Sequence, residues 1–264
     1  MELDDAYANA AHIPGADDYP PRWTEAAESY RKRLAVTGHA RLGLMYGHGA
    51  RQAMDLFLPD GEPKGLVVFV HGGYWLRFDR SFWSHFAEGA RAHGWAVAMP
   101  SYDLCPRVEI ADITRQVADA VTVAAREVSG PVRLVGHSAG GHLVSRMAEP
   151  GLLPEDVAGR IVKILPISPV SDLRPLMQTS MNADFGLDDA KARAESPVFQ
   201  PKPEVSVTVW VGADERPVFL DQARWLAEAW EAEHVVDEGL HHFDVIDALA
   251  DPTSRMVKTL LGAG

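Results

Sequence analysis

The sequence predicts an α/β fold, a mostly parallel central sheet flanked by helices on both faces. Continuous apolar runs such as Leu66-Val67-Val68-Phe69-Val70 stop at glycines, here Gly72-Gly73, as strands buried on both faces do. Longer stretches of helical periodicity, such as Ile110 to Val128 and Val218 to Glu231, alternate with these runs, and that alternation places helices across parallel strands. With 47% hydrophobic and 23% charged residues the composition is that of an ordinary folded chain. A length of 264 residues suits one large sheet-based domain over 1–264.

In chain order, the stretch to about residue 20 is acidic and rich in small residues. Pro14, Gly15, Pro20 and Pro21 break it, so it is expected to wrap over the body as irregular chain. A helix is expected from about Trp23 to Leu34. Gln52 to Leu58 alternates polar and apolar residues before Pro59-Asp60-Gly61, a strand entering a turn. Further strands are expected at Trp95 to Met99, Val132 to Val135, Ile161 to Ile167 and Val205 to Val211. Ser81 to His93 and Ala139 to Glu149 read as helices. Pro169, Pro175, Pro197, Pro201 and Pro203 interrupt the rhythm over 169–203. That stretch is expected to be a small irregular lid over the C-terminal edge of the sheet, where ligands bind in open α/β folds.

The formal charge of −12 leaves no basic surface to neutralise phosphates, so neither nucleic acid nor a membrane is an expected partner. Arg31-Lys32-Arg33 reads as a solvated helix face. The lone Cys105 can form neither an intrachain disulfide nor a cysteine zinc site and is expected to be a buried small residue. The first 21 residues lack Lys, Arg and a long apolar core, and no apolar run reaches the ~18 residues that span a bilayer. A cytoplasmic location is expected, with a small molecule as partner and a homodimer as an option.

The strongest chemical signal is Gly136-His137-Ser138-Ala139-Gly140-Gly141, directly after one expected strand and before a helix. G-x-S-x-G in that setting holds a serine on a strained turn with its hydroxyl exposed, while the small flanking residues let strand and helix pack closely. The Ala139 amide then lies at a helix N-terminus, where a developing oxyanion is favoured. The second signal, His71-Gly72-Gly73-Tyr74-Trp75, ends the Leu66 to Val70 run. With Ala139, an amide of Gly72 or Gly73 would complete a two-donor oxyanion hole. A serine needs a base, and the base an orienting acid. Asp214, after the Val205 to Val211 run, is the favoured acid, with neighbouring Glu215 and distant Asp172 as alternatives. Among the later histidines His242 is the favoured base, before an expected helix N-terminus at Phe243-Asp244-Val245-Ile246. His241 remains an alternative, and His234 is expected to begin a strand. No H-E-x-x-H, cysteine cluster, P-loop or G-x-G-x-x-G pattern occurs, so neither a metal nor a cofactor is expected.

From about residue 20 to the end, the sequence resembles the α/β-hydrolase superfamily and, more narrowly, its kynurenine formamidase (arylformamidase) group of serine hydrolases. His71-Gly72-Gly73-Tyr74-Trp75 matches that group's H-G-G-x-W motif, Gly136 to Gly140 its G-H-S-A-G elbow, and His242-Phe243-Asp244 its terminal H-F-D, which favours His242 over His241. Softer matches are Tyr102-Asp103-Leu104-Cys105-Pro106, Ser168 to Leu173, and Ser196-Pro197. The resemblance implies hydrolysis of N-formyl-L-kynurenine to L-kynurenine and formate by Ser138, Asp214 and His242. It implies an oxyanion hole at Gly72, Gly73 and Ala139, and an aromatic pocket with Tyr74 and Trp75 near the entrance, covered by residues 172–185. Relatives of the group hydrolyse other amides and esters, so a carboxylesterase or amidase acting with the same triad is the second expectation.

Overall fold

The computed structural model describes residues 1 and 3–262. Two short 3₁₀ turns, Ala10–His12 and Ala16–Asp18, precede α1 (Tyr19–Val36). Pro20 and Pro21 sit in the first turn of α1, where a missing N–H leaves no hydrogen bond unmade. The two prolines thus open the helix, and it starts ahead of Trp23.

The elements that follow are β1 (Ala40–Met45), β2 (Ala53–Phe57), β3 (Leu66–Val70), α2 (Glu88–Ala92), β4 (Ala96–Pro100), α3 (Ile110–Glu127), β5 (Val132–His137) and α4 (Ala139–Arg146). The chain continues through α5 (Glu155–Ala158), β6 (Ile161–Ile167), α6 (Asn182–Phe185), α7 (Asp189–Glu195), β7 (Ser206–Gly212), α8 (Pro217–Ala229), β8 (Glu233–Asp237) and α9 (Arg255–Leu261). The eight strands form one sheet in the order β1-β2-β4-β3-β5-β6-β7-β8. β1 and β2 pair antiparallel, as do β2 and β4, and the other neighbours are parallel.

Side chains of β3 alternate between two cores, as the two-residue strand period dictates. Leu66, Val68 and Val70 join Val117, Val121, Leu143 and Val144 from α3 and α4. Val67 and Phe69 face the other way, toward Trp23 of α1 and Val257 and Leu260 of α9. A strand packed on both faces reads as an unbroken apolar run, which is why the boundaries of β3 and β6 match the expected ones.

Two elements differ from expectation for local reasons. β1 buries none of its residues, so it carries no apolar alternation. Its register shifts between Arg41 and Leu44, where Gly43 takes φ 69° and its amide donates to Asp55 at 2.9 Å. The expected Ser81 to His93 helix is helical only over α2 and starts as two 3₁₀ turns, Arg80–Phe82 and Ser84–Ala87. There the guanidinium of Arg31 donates to the Ser81 carbonyl and the Ser84 hydroxyl. Arg31 therefore stitches α1 to this segment instead of lying on a solvated face.

The parallel strands run the same way, so the turns after β3, β5, β6 and β7 collect along one edge of the sheet. Segment 169–203, with 3₁₀ turns at Arg174–Gln178 and Pro197–Phe199 around α6 and α7, leaves from that edge.

Leu134, in the middle of β5, has no exposed surface. Leu134→Ala should destabilise the protein by about 2–5 kcal/mol, from lost burial plus the cavity left behind. Urea unfolding of the two proteins checks this, and a loss below about 1 kcal/mol would show that the core relaxes around the gap.

Candidate active site

Ser138 stands between β5 and α4 with φ 57° and ψ −118°, a conformation that strains any residue with a Cβ. Its amide donates to Ile167 O at 2.8 Å, and its carbonyl accepts the His142 amide at 3.0 Å. The glycines around it are required by space. A Cβ on Gly140 would fall 1.9 Å from Val70 O and 2.6 Å from His71 O, and one on Gly136 would fall 2.2 Å from Gly140 O. The close approach of strand and helix expected for this motif is therefore present.

The turn after β3 lies directly against this elbow. A Cβ on Gly72 would sit 3.0 Å from the Ser138 Cβ and 2.8 Å from His137 O. Gly73 has φ 109°, and the next two residues, Tyr74 and Trp75, are also left-handed at 53° and 57°. The Leu76 and Arg77 amides both return to Gly73 O at 3.0 Å, closing the turn. His71 Nδ1 donates to Gly72 O at 2.7 Å, while the Tyr102 hydroxyl donates to His71 O at 2.8 Å with the two rings stacked 4.3 Å apart. With its carbonyl tied back, the Gly72 peptide is fixed, and the Gly72 and Gly73 amides find no acceptor among the described residues. Ala139 occupies the first position of α4, where helical amides have no intrahelical acceptor. The Gly72 turn and the first turn of α4 thus meet at Ser138.

The carboxylate that pairs with His242 is Glu215, one residue on from the favoured Asp214. His242 Nδ1 donates to Glu215 Oε2 at 2.6 Å, and the Glu215 side chain has no exposed surface. Asp214 is exposed and engaged through its main chain, its amide donating to Leu240 O at 2.9 Å. The reason lies in the turn after β7. The Glu215 amide returns to Gly212 O, and the Gly212 amide donates to Glu215 Oε1 at 2.9 Å, which rotates residue 215 inward and 214 outward. Ser168, itself left-handed at φ 47° at the end of β6, donates to the same Oε1 at 2.5 Å. Glu215 thus accepts from three donors, as a buried carboxylate must. Ser168 had appeared only within a matching segment; its signal is a serine directly after the strand that neighbours β5.

His242 is buried, with its ring 4.6 Å from that of His137 and 4.3 Å from that of Phe219. It lies in a loop followed by a 3₁₀ turn, Val245–Ala250, in place of an α-helix N-terminus. The hydroxyl of Ser138 and the ring of His242 share no direct hydrogen bond here; contacts of this kind tighten when substrate is bound. His241 is occupied elsewhere, Nδ1 at 3.1 Å from Asp244 and Nε2 at 3.1 Å from the Tyr19 hydroxyl. His234 lies in β8.

Tyr74 is half-buried, 6.5 Å from Phe219, and its hydroxyl donates to Tyr7 O at 2.7 Å. Trp75 has no exposed surface and packs edge-on against His142 at 5.0 Å and Phe185 at 5.6 Å. It anchors the turn from below and does not stand at an entrance. Under α4, His142 Nε2 donates to Glu195 O at 2.6 Å, and the Glu195 carboxylate accepts from Thr114 at 2.7 Å and Arg146 Nε at 3.1 Å. Asp172, the distant alternative acid, pairs with Arg174 at 2.7 Å. Burial pushes the Cys105 thiol up to about 11, which leaves it un-ionised at neutral pH.

Among the described residues no group of three or more His, Cys, Asp or Glu side chains is arranged to hold a metal. No described helix is long and apolar enough to cross a membrane.

A nucleophile elbow, a glycine turn with free amides and a buried acid–histidine pair at one sheet edge define a hydrolase of the α/β type. The chain belongs to the alpha/beta hydrolase family, whose model matches residues 67–262. Over 98% of its length it is 26% identical to a kynurenine formamidase of Danio rerio, covering 94% of that protein. It is 28% identical to a kynurenine formamidase of Drosophila melanogaster, over 82% of this chain and 79% of the relative. Among solved structures it matches a proposed thioesterase of Silicibacter sp. TM1040 with a TM-score of 0.97 and 60% identity, 99% of each chain being covered. An esterase of Pyrobaculum calidifontis shares the fold, with a TM-score of 0.70 at 17% identity over 94% and 92% of the two chains.

Burial lowers His71 and His142 to about 4 and His137 well below its ordinary value, so all three are neutral in the folded protein. Their pKa values are depressed on folding, so the unfolded chain binds the extra protons. Stability is then complete well above pH 6.5 and falls as the pH drops through 6.5 toward 4, by about 1.4 kcal/mol for each of His71 and His142 between pH 7.5 and 5.5. Thermal unfolding at pH 7.5 and 5.5 should show this loss, reduced in His142→Gln; an equal acid loss in the variant would exclude His142 as a contributor.

Proposed function

We propose that this chain is a serine hydrolase that cleaves an N-formyl arylamide, with N-formyl-L-kynurenine the best candidate substrate. The observation that carries the serine mechanism is the 2.6 Å hydrogen bond between buried Glu215 and His242 beside the strained Ser138 elbow. The substrate class is supported by the kynurenine formamidases it resembles along nearly the whole chain.

In this reading His242 Nε2 removes the proton of Ser138 as Oγ attacks the formyl carbon. Glu215 holds the ring in the tautomer that leaves Nε2 free, and stabilises the imidazolium. The Gly72 or Gly73 amide and the Ala139 amide carry the negative oxygen of the tetrahedral intermediate; losing one such donor typically costs about 3 kcal/mol. His242 then gives its proton to the departing arylamine nitrogen as the C–N bond breaks. Water, deprotonated by His242, attacks the formyl-serine and releases formate. Ser168 and the Gly212 amide hold the Glu215 carboxylate in place.

The second reading is a thioesterase, favoured by the name of the 60% identical Silicibacter relative. The same residues would serve, with a thiolate as leaving group. Turnover of N-formyl-L-kynurenine, a p-nitrophenyl ester and a short acyl thioester, side by side, separates the two. The formamidase reading expects the first to have the highest kcat/KM; a thioester preferred by a hundredfold or more would replace it.

Ser138→Ala should abolish turnover with the fold intact by circular dichroism. Glu215→Gln should lower kcat by about 10⁴-fold, because an amide favours the wrong imidazole tautomer, whereas Asp214→Asn should stay within about twofold of the unaltered protein. The reverse ranking of those two variants would return the acid to Asp214.

A further inference from the structure

Asp4, Asp5 and Tyr7 are tied to three separate parts of the site. Asp4 Oδ1 accepts the Ser180 amide at 2.6 Å, and Asp5 Oδ2 accepts from Arg216, the neighbour of Glu215, at 2.9 Å. Tyr7, only 2% exposed, is held at both ends. Its carbonyl accepts the Tyr74 phenol, and its own hydroxyl accepts from Gln222 Nε2 at 3.0 Å. Gln222 is fully buried and saturated, its amide oxygen accepting the Ser171 and Asp172 amides at 2.8 and 2.7 Å.

The rings continue this connection into the site. Tyr7 meets Phe219 edge-on at 6.0 Å, Tyr74 meets the same ring at 6.5 Å, and Phe219 lies 4.3 Å from His242. Tyr74 directly follows Gly73, one of the oxyanion donors, and is held in a left-handed conformation that non-glycine residues adopt only when surrounding contacts impose it. The Tyr7 carbonyl is such a contact. In a serine hydrolase the group that leaves takes its proton from the histidine, so it must depart on the side of His242. Phe219 lies there, fully buried beside His242, and the half-buried Tyr74 packs against it.

We infer that Tyr7 is a positioning residue for specificity: by fixing Phe219 and Tyr74 it shapes the leaving-group side of the pocket to favour flat aromatic leaving groups over aliphatic ones. The inference rests on the serine-hydrolase reading and not on formylkynurenine as the substrate. Aromatic leaving groups gain ring contacts with Tyr74, the one ring of the three that is not fully buried, that aliphatic ones cannot make.

The test compares phenyl acetate with ethyl acetate, which share an acyl group and differ in what leaves. It uses the full chain and its Tyr7→Ala, Tyr7→Phe and Tyr74→Phe variants. Tyr7→Ala should lower the phenyl-to-ethyl ratio of kcat/KM about tenfold, mainly through KM for the phenyl ester. Tyr7→Phe keeps the ring and should restore the ratio to within about threefold. Tyr74→Phe removes only the phenol and should lower the ratio several-fold, which covers the case in which Tyr7→Ala fails to fold. A parallel fall on both esters, or an unchanged ratio in folded variants, would overturn the inference. Failure on N-formyl-L-kynurenine with the ratio behaving as stated would remove only the formamidase reading. Retained esterase activity in Ser138→Ala would remove the serine mechanism itself.

Discussion

The first turn of α4 rests on the carbonyl oxygens of Val70 and His71, and that contact exists only because residue 140 has no side chain. The rest of the site depends on it. The approach brings the end of β5 beside the end of β3, so the serine elbow and the glycine turn meet within a few ångströms. It also forces Ser138 into a backbone conformation that costs on the order of 1–3 kcal/mol, sustained by the hydrogen bonds of Ser138 to Ile167 and His142. A helix one methyl group further away would leave the serine relaxed and the two sets of amides too far apart to share one oxygen.

Behind this contact lies a layer of buried polar chemistry. His142, one turn along α4 from Ser138, is fixed by Glu195 and packed by Trp75. Glu195 itself answers to Thr114 of α3 and Arg146 of α4. An ion pair taken out of water gains little net stability when compared with apolar packing. What it supplies here is position: the end of α7, in the excursion over the sheet edge, is locked to the helix that Ser138 caps. The neutral state of the buried histidines adds a dependence on pH that an apolar layer would lack.

Much of this was legible in the residues. β3 and β6 are buried on both faces, so their apolar runs have sharp ends, and the elbow is specified by glycines that no other residue can replace. What escaped detection depends on geometry that spacing does not encode. β1 is an edge strand with no buried residue and a bulge at Gly43, so it carries no pattern. The carboxylate facing His242 falls one position from the favoured one because composition cannot tell which of Asp214 and Glu215 a turn will rotate inward. Trp75 looks like a pocket aromatic until two left-handed residues in succession send it into the core. Ser168 acts on the carboxylate from a neighbouring strand, a relation visible only once the sheet order is known.

The turn that carries Glu215 and the loop that carries His242 are joined main chain to main chain. The Ala213 amide reaches Asp237 O and the Asp214 amide reaches Leu240 O, both at 2.9 Å, and a Cβ on Gly212 would strike Leu240 O at 2.3 Å. The two segments therefore travel as a single rigid piece, with their register set by backbone atoms that mutation does not alter. Exposed positions between them, Asp214 and Glu238 among them, can change in sequence without spoiling the alignment of Glu215 with His242. Gly212 is the exception, a position where drift is barred although the residue performs no chemistry.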